Sequence, residues 1–508
     1  MAKVRSISIT FFPDTPEWRW LLLGFLLFSA FGIRVVDLKR PPIDFHPTRQ
    51  YHSALLAHAY YLEFGKSIPD WQREVIQVQR EEMGVLEPPL FEFLVAQVYK
   101  LTGIEALWIP RLWSIVFWLS GGIAVFLIGL RLGSLDVAVL ASAFFLFLPF
   151  GISASRSFQP DILMLMLLLW ALYLLLGYHD RSDLRRLFWT AAVGGLATLV
   201  KPQGVFMLLL TAVFLIGYQN ERQRRHLTFF LVIVVLPALL YYGYHLIWNQ
   251  KMQQQATSSF IPQLWFKVYY WQFWLKHLWR VIGFSALVGG ALGIFLIPAG
   301  WRRDFIIAMW LGYAVFGLFY DYHIHTHNYY HLQFIPAVAL ALGFLGANVL
   351  QQLILVAQNQ LQRVLIGCIL LFSIFLNMGL YLNTLSEAEN LSSQANIAGQ
   401  IGQIVNHSAR TLFLAPYYGA PLEYYGELAG NPWPTIGDSY SERLVSGQLL
   451  TAEERLDQFF QDSSPEYFIV TDIAEYQAQT ELQTLLSTHF SVIAQSEEFI
   501  IFDLRQRL

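Results

Sequence analysis

Asp44 lies six residues beyond the first apolar segment (18–38), in the run Pro41-Pro42-Ile43-Asp44-Phe45-His46-Pro47-Thr48-Arg49-Gln50. A carboxylate at that position, flanked by His46 and Arg49 as candidate substrate contacts, suits a group that removes a proton from a substrate. Other polar residues sit where apolar segments begin or end. Arg156, Gln159 and Asp161 open a segment in Ser155-Arg156-Ser157-Phe158-Gln159-Pro160-Asp161. Asp161 either caps a helix start, where the dipole favours a negative charge, or serves a site by binding a metal or orienting an acceptor. Lys201, followed by Pro202 and Gly204, either snorkels or, with the next helix N-terminus, holds a phosphate. The run Asp321-Tyr322-His323-Ile324-His325-Thr326-His327-Asn328-Tyr329-Tyr330-His331 concentrates four histidines. Glu87, His325, His327 and His331 are candidate ligands of a divalent metal, although closed zinc spacing is absent. Hydrogen bonding to substrate hydroxyls or phosphate, or a solvated loop, suits the same run.

These residues need a membrane to organise them. The chain is 55% hydrophobic and 14% charged, outside the range of ordinary soluble domains. Apolar segments near spanning length recur at 18–38, 108–131, 135–151, 160–177, 186–200, 203–218, 227–247, 280–299, 303–320, 331–350 and 362–382, about eleven spans. Lys and Arg in the loops give the orientation. With Lys3 and Arg5 cytoplasmic, alternate loops carry Arg131; Arg181, Arg185 and Arg186; Arg222, Arg224 and Arg225; Arg302 and Arg303; and Arg363. Residues 39–107, 152–159, the Lys201 turn, 248–279, 321–330 and everything after 382 are then expected outside, in a multi-pass protein of the plasma (inner) membrane. A net charge of −3 without a basic block excludes nucleic acid as the expected partner, and the lone Cys368 excludes a disulfide within one chain.

The first external loop, 39–107, predicts two amphipathic helices in the interface, 53–64 with Leu56, Tyr60, Tyr61 and Phe64, and 90–101 with Leu90, Phe91, Leu94, Val98 and Leu101. The stretch 260–279 is crowded with aromatics, either an interfacial belt or a wall for a lipid tail or sugar. After Leu382 the composition turns polar. Strand-like runs at 411–414, 467–471 and 499–504 alternate with helical patterns at 392–405, 451–461 and 476–487. The expected architecture is an α-helical polytopic membrane domain (1–385) followed by a small external α/β domain (386–508), stable alone or nearly so. Tyr417-Tyr418-Gly419 and Tyr424-Tyr425-Gly426 serve either turn and core packing or stacking on sugar.

In chain order, the loop with Asp44, Glu87-Pro88-Pro89-Leu90-Phe91-Glu92-Phe93, Ile109-Pro110-Arg111-Leu112, Gln159-Pro160-Asp161, Lys201-Pro202-Gln203-Gly204 and His327-Asn328-Tyr329-Tyr330 leading to Pro336 resemble the C-type membrane glycosyltransferases. Over about 18–350 the chain is similar to the branch of protein O-mannosyltransferases and aminoarabinose transferases. The resemblance implies a polyprenyl-phosphate-linked sugar as donor and a hydroxyl acceptor outside the cytoplasm. Asp44 becomes the catalytic base, and direct displacement inverts the anomeric centre. Arg111, Arg156 and Lys201 are the candidates to stabilise the leaving phosphate; Gln159, Tyr329 and Tyr330 join them as substrate contacts. One position departs: the aminoarabinose transferases carry Lys before the Pro pair, where this chain has Glu87. A secondary transporter or a scaffold presenting the C-terminal domain is the alternative. The transporter predicts internal repeats, and the scaffold needs no gathering of Asp44, Asp161 and Lys201.

Overall fold

The computed structural model describes residues 10–63, 68–84, 87–217, 219–356, 392–446 and 450–508, with a few positions between 361 and 379. The chain divides into two compact units: Met1–Leu38, Val85–Leu90 and Trp108–Glu387 form one, and Lys39–Gly84, Phe91–Leu107 and Ala388–Leu508 the other. Most of loop 39–107 is thus grouped with the C-terminal residues, not with the helices that flank it in sequence.

The first unit is helical. Five elements are long and apolar enough to cross a membrane: Pro16–Val35, Trp108–Leu132, Pro160–Asp180, Glu221–Trp248 and Asn328–Val356. Val268–Ile282 and Phe284–Leu296 count as a sixth if taken together, bent by 91° where Gly283 adopts φ 90°, a backbone state that disfavours any side chain. The expected eleven spans are not reached among the described residues. Mean hydropathy over a window ignores where a helix breaks: Leu135–Phe147 stops before Pro149 at 13 residues, and Leu184–Val200 stops at Lys201 after 17. The segment 362–382 lies largely outside the described residues.

Pro160–Asp180 is apolar on all sides and correspondingly buried. A connection of three residues, with Asp183 accepting from the Arg185 N–H at 3.2 Å, turns the chain into Leu184–Val200, which packs back along it. At the turn, Arg131 donates to the Tyr173 carbonyl (3.3 Å), Arg186 to that of Gly177 (3.2 Å) and Arg222 to that of Ser182 (2.9 Å), cations placed against a helix C-terminus. Trp301–Phe319 approaches Val205–Ile216 so closely that a Cβ on Gly312 would stand 2.4 Å from the Met207 Cα; small residues allow such contact between membrane helices.

In the second unit, β1 (Thr411–Leu414), β2 (Gly430–Pro432), β3 (Tyr467–Val470), β4 (Ser491–Gln495) and β5 (Ile500–Asp503) form a mixed sheet in the order β2-β1-β3-β5-β4. β1 is parallel to β2 and β3, with Thr411 opposite Gly430 and Tyr467; β5 is antiparallel to β3 and β4, with Asp503 opposite Tyr467. Side chains alternate between two faces. Leu412, Leu414, Phe468, Val470 and Phe502 meet Leu456, Leu482 and Leu486 from Ala452–Asp462 and Thr480–His489. Phe413, Tyr467, Ile469 and Ile501 meet Ala398 and Ile401 of Ser392–Ile404. The strand-like runs at 411–414, 467–471 and 499–504 thus become β1, β3 and β5. The short Gly-Asn-Pro of β2 and the exposed edge β4 have too little local pattern to read.

The loop helices are Pro47–Glu63, Asp70–Met83 and Leu90–Thr102. Only part of their surface fits the interfacial assignment. Tyr60 and Tyr61 pack on Phe93 and Tyr99 at ring separations of 5.8 and 5.9 Å. The buried side of Pro47–Glu63 carries Tyr51, Leu55 and His58, and Tyr51 meets the rings of Tyr424 and Tyr425 at 6.0 and 5.9 Å. Gln79 donates to the carbonyls of Glu423 (3.0 Å) and Leu428 (2.9 Å), and Trp71 stacks on His407 at 4.3 Å. Protein covers the faces that carry Tyr51, Trp71 and Gln79, whereas Leu90, Leu94 and Leu101 on the expected interfacial face of Leu90–Thr102 stay exposed.

Candidate active site

The hairpin of Pro160–Asp180 and Leu184–Val200 has a geometric consequence: the start of the first helix lies beside the end of the second. Asp161 occupies the first turn of one and Lys201 closes the other. Their side chains meet, Lys201 Nζ donating to Asp161 Oδ1 at 2.7 Å and Oδ2 at 2.8 Å. Glu87 Oε1 lies 3.5 Å from the same Nζ. Lys201 and Asp161 are 1% and 2% exposed, so this is a buried ion pair with a second carboxylate alongside. With all three ionised, the cluster carries one net negative charge. The cation also faces the rings of Tyr329 and Tyr330 at 5.2 and 5.4 Å, within cation–π range.

The polar surface continues from there. Tyr330 stacks on His323 at 5.0 Å with planes 6° apart, and His323 Nε2 is 2.8 Å from Ser259 Oγ. The Ile261 N–H donates to Asp321 Oδ1 at 2.8 Å, which fixes the segment after Gln250–Ser259 against Asp321–Thr326. A cleft of about 500 Å³ opens on this row: Val205, Phe206, Leu209, Val235, Leu239 and Phe319 give it apolar walls, while Glu87, Lys201, Ser259, His323 and Tyr330 give it polar groups. Long apolar walls beside a short charged patch suit an amphiphile with a polar head.

Arg111 and Arg156 are buried behind the N-terminus of Pro160–Asp180. Arg111 Nε donates to the Arg156 carbonyl (2.9 Å) and Nη1 to that of Leu38 (3.3 Å); Arg156 Nη2 donates to the Asp37 carbonyl (3.3 Å). Arg34 donates from Nε to Ser155 Oγ (2.6 Å) and from Nη2 to the Leu146 carbonyl (2.7 Å). Three guanidinium groups therefore brace the segment 155–159, ending at Gln159, the N-cap residue before Pro160. Arg34 was missed by the sequence reading, although an arginine inside an apolar span is itself a signal.

Asp44, His46 and Arg49 belong to the second unit. Asp44 is exposed, and its loop is held by the buried Gln50, whose Nε2 donates to the carbonyls of Pro42 (3.0 Å) and Phe45 (2.7 Å) and lies 3.5 Å from Asp44 Oδ1. His46 takes φ 44°, a left-handed state that is uncommon for such a residue, and its ring meets that of Phe45 edge-on at 4.8 Å. Gln50 gave no sequence signal, since nothing in its neighbours marks an amide as buried.

The candidate metal ligands are not gathered. His331 Nδ1 faces Tyr313 OH (2.5 Å) and its Nε2 the Ile324 carbonyl (3.0 Å); His325 Nδ1 faces the Asp321 carbonyl (2.7 Å), His327 faces Thr326 Oγ1 (2.7 Å), and Glu87 lies at Lys201. Among the described residues no group of three or more His, Cys, Asp or Glu could hold a metal ion. The 3.6-residue helix repeat and the tight turn after Thr326 turn these alternating histidines in different directions. The aromatic stretch divides too: Tyr270 and Trp274 are buried, Trp274 donating to Tyr313 OH at 2.8 Å, while Phe266 and Trp279 are exposed.

The fold is similar to that of solved C-type (GT-C) membrane glycosyltransferases. Residues 86–248, which include Glu87, Asp161 and Lys201, match the family described as dolichyl-phosphate-mannose-protein mannosyltransferase. No curated protein sequence matches the chain. ArnT from Cupriavidus metallidurans bound to undecaprenyl phosphate is similar in structure, with TM-score 0.61 and 14% identity over 96% of this chain and 98% of that one. The oligosaccharyltransferase AglB from Archaeoglobus fulgidus, in complex with an inhibitory peptide and a dolichol-phosphate, gives TM-score 0.59 and 11% identity over 96% and 74%. The Archaeoglobus fulgidus oligosaccharyltransferase complexed with Zn and sulfate gives TM-score 0.56 and 12% identity over 96% and 75%.

Proposed function

We propose that the protein transfers a sugar from a polyprenyl-phosphate carrier to a hydroxyl acceptor on the external face of the plasma (inner) membrane. The cleft of about 500 Å³ carries this reading, because its walls suit an isoprenoid chain and its row of Lys201, Tyr330, His323 and Ser259 suits a phosphate and sugar head. The undecaprenyl phosphate and dolichol-phosphate held by the two similar proteins support it. The gathering of Arg131, Arg186 and Arg222 at one end of the helix hairpin supports a cytoplasmic location for that end.

In this reading Asp44 accepts the acceptor's hydroxyl proton as that oxygen attacks C1. The C1–O bond to phosphate breaks, its electron pair stays on the phosphate, and C1 inverts. Lys201 meets the growing charge on the leaving oxygen, exchanging part of its contact with Asp161 for the phosphate. Arg111 and Arg156 act through segment 155–159, which they hold in place for Asp161. No step is routed through a metal.

The test is single-turnover transfer from a synthetic polyprenyl-phosphate sugar, with product anomer and donor binding measured separately. Asp44→Asn is expected to lower the rate by about 10²–10⁴-fold with donor affinity unchanged. Near-normal turnover, or retention of the donor's anomeric configuration, overturns the assignment of Asp44 as base in a direct displacement.

A further inference from the structure

The C-terminal residues hold a second crevice, and its position follows from strand order. β1 and β3 are adjacent and parallel. The chain leaving the carboxyl end of β1 crosses through Ala420–Tyr425 to β2 on one side of it; the chain leaving β3 passes through Ile473–Ala478 and Thr480–His489 to β4, at the sheet's far edge on the other. Connections that part in this way leave a gap at the strand ends, the place where open α/β sheets bind ligands. A crevice of about 340 Å³ lies there, lined by Ala415 and Pro416 directly after β1, Thr471 and Ile473 directly after β3, and Glu497 and Glu498 from the β4–β5 turn.

Its chemistry narrows the ligand. Pro416, Pro421, Leu422 and Ile473 supply apolar surface; Ser393, Gln394 and Thr471 supply groups that both donate and accept; Glu497 and Glu498 supply carboxylate acceptors. Among the described residues no Lys, Arg or His lines it, so an anion would face the two carboxylates with no cation to offset them. A pyranose has the complementary surface, with a C–H face for the prolines and leucine and hydroxyl donors for the carboxylates. The volume is at the small end of ligand pockets, which run from about 300 to 1,000 Å³, enough for a sugar unit or two. Beside it, Tyr417 and Tyr418 both take φ 57°, a left-handed state uncommon for such residues, and Tyr418 is 53% exposed.

We propose that this crevice binds an uncharged, hydroxyl-rich sugar unit of the acceptor. The word acceptor rests on the glycosyl-transfer reading; sugar binding does not. The test is saturation-transfer NMR on the detergent-solubilised full chain with glucose, galactose, mannose, N-acetylglucosamine and, as an anionic comparator, glucose 6-phosphate. At least one neutral sugar is expected to take up saturation and glucose 6-phosphate not. The Glu497→Ala/Glu498→Ala variant is expected to bind that sugar about tenfold more weakly, as loss of a charged hydrogen-bond partner implies; both side chains are exposed, so the core is untouched. Absence of signal from every neutral sugar, or an unchanged signal in the double variant, overturns the site. Asp44→Asn is expected to leave this binding intact, so a failed base assignment and a failed sugar site give different results.

Discussion

Lys201 is a buried cation held against a buried carboxylate. Removing one member of a buried ion pair leaves the other unpaired and costs about 3–5 kcal/mol, so Lys201→Ala should destabilise the protein by roughly that amount, because Asp161, buried and 2.7 Å away, is left without its cation. Adding Asp161→Ala should recover most of the loss, as read by thermal unfolding in detergent; a double variant no more stable than the single one rejects this account of the pair. The same double variant separates folding from function. If Lys201 meets the carrier phosphate, a polyprenyl phosphate should bind it more weakly than the wild type despite restored stability. Equal affinity removes Lys201 from the phosphate site.

Among elements, the fit of Trp301–Phe319 against Val205–Ile216 sets the cleft, since Val205, Phe206 and Leu209 come from one and Phe319 from the other. Gly312→Leu places a side chain where Met207 stands 2.4 Å away and must part the two helices. Overpacking of this kind costs about 1–3 kcal/mol, and carrier binding should fall with stability; an unaffected affinity would show that the cleft does not depend on this contact. The arginine brace on 155–159 and the Asp183 turn act in the same sense, each fixing one end of the hairpin on which Asp161 and Lys201 meet.

At the scale of the molecule, the second unit is assembled from distant parts of the chain. His58 Nδ1 and Glu105 Oε1 are 2.7 Å apart, and Tyr424 OH donates to the same oxygen at 3.2 Å. Truncation after residue 391 should therefore uncover Tyr51, Leu55, Val75 and Gln79 and yield an aggregating protein. A monodisperse truncated chain, judged by size exclusion in detergent, would contradict this grouping. The unit should also lose stability as pH rises. Burial, with Glu82's charge next, pushes the half-buried Glu423 up to about 8; burial alone would lower His58, but the Glu105 hydrogen bond and the charges of Glu105 and Glu427 outweigh it and hold the ring above its ordinary value. Both groups bind protons more tightly folded than unfolded, so their stabilisation is present at low pH and lost as pH rises. For Glu423 the window runs from about 4.5 to about 8. Glu423→Gln should match the wild type near the lower limit and exceed it near the upper; parallel melting curves at both pH values would reject the assignment.

Sequence alone determined the membrane character, the order of polar motifs at the ends of apolar segments, and three strands and three helices of the C-terminal residues, because hydropathy and side-chain period are set by neighbours a few residues apart. It marked Asp161 and Lys201 for the same reason, each standing where an apolar run starts or stops, and Tyr329 and Tyr330 through the family resemblance. Tertiary structure decided what they do to one another. The Lys201–Asp161 contact spans 40 residues and the Tyr424–Glu105 contact 319, and no local rule carries information that far. It also decided that the loop histidines point apart, that two helices of loop 39–107 turn buried faces to C-terminal residues, and that β1 and β3 lie side by side with a crevice at their ends. Those outcomes follow from which surfaces pack together, and packing is settled by the whole chain.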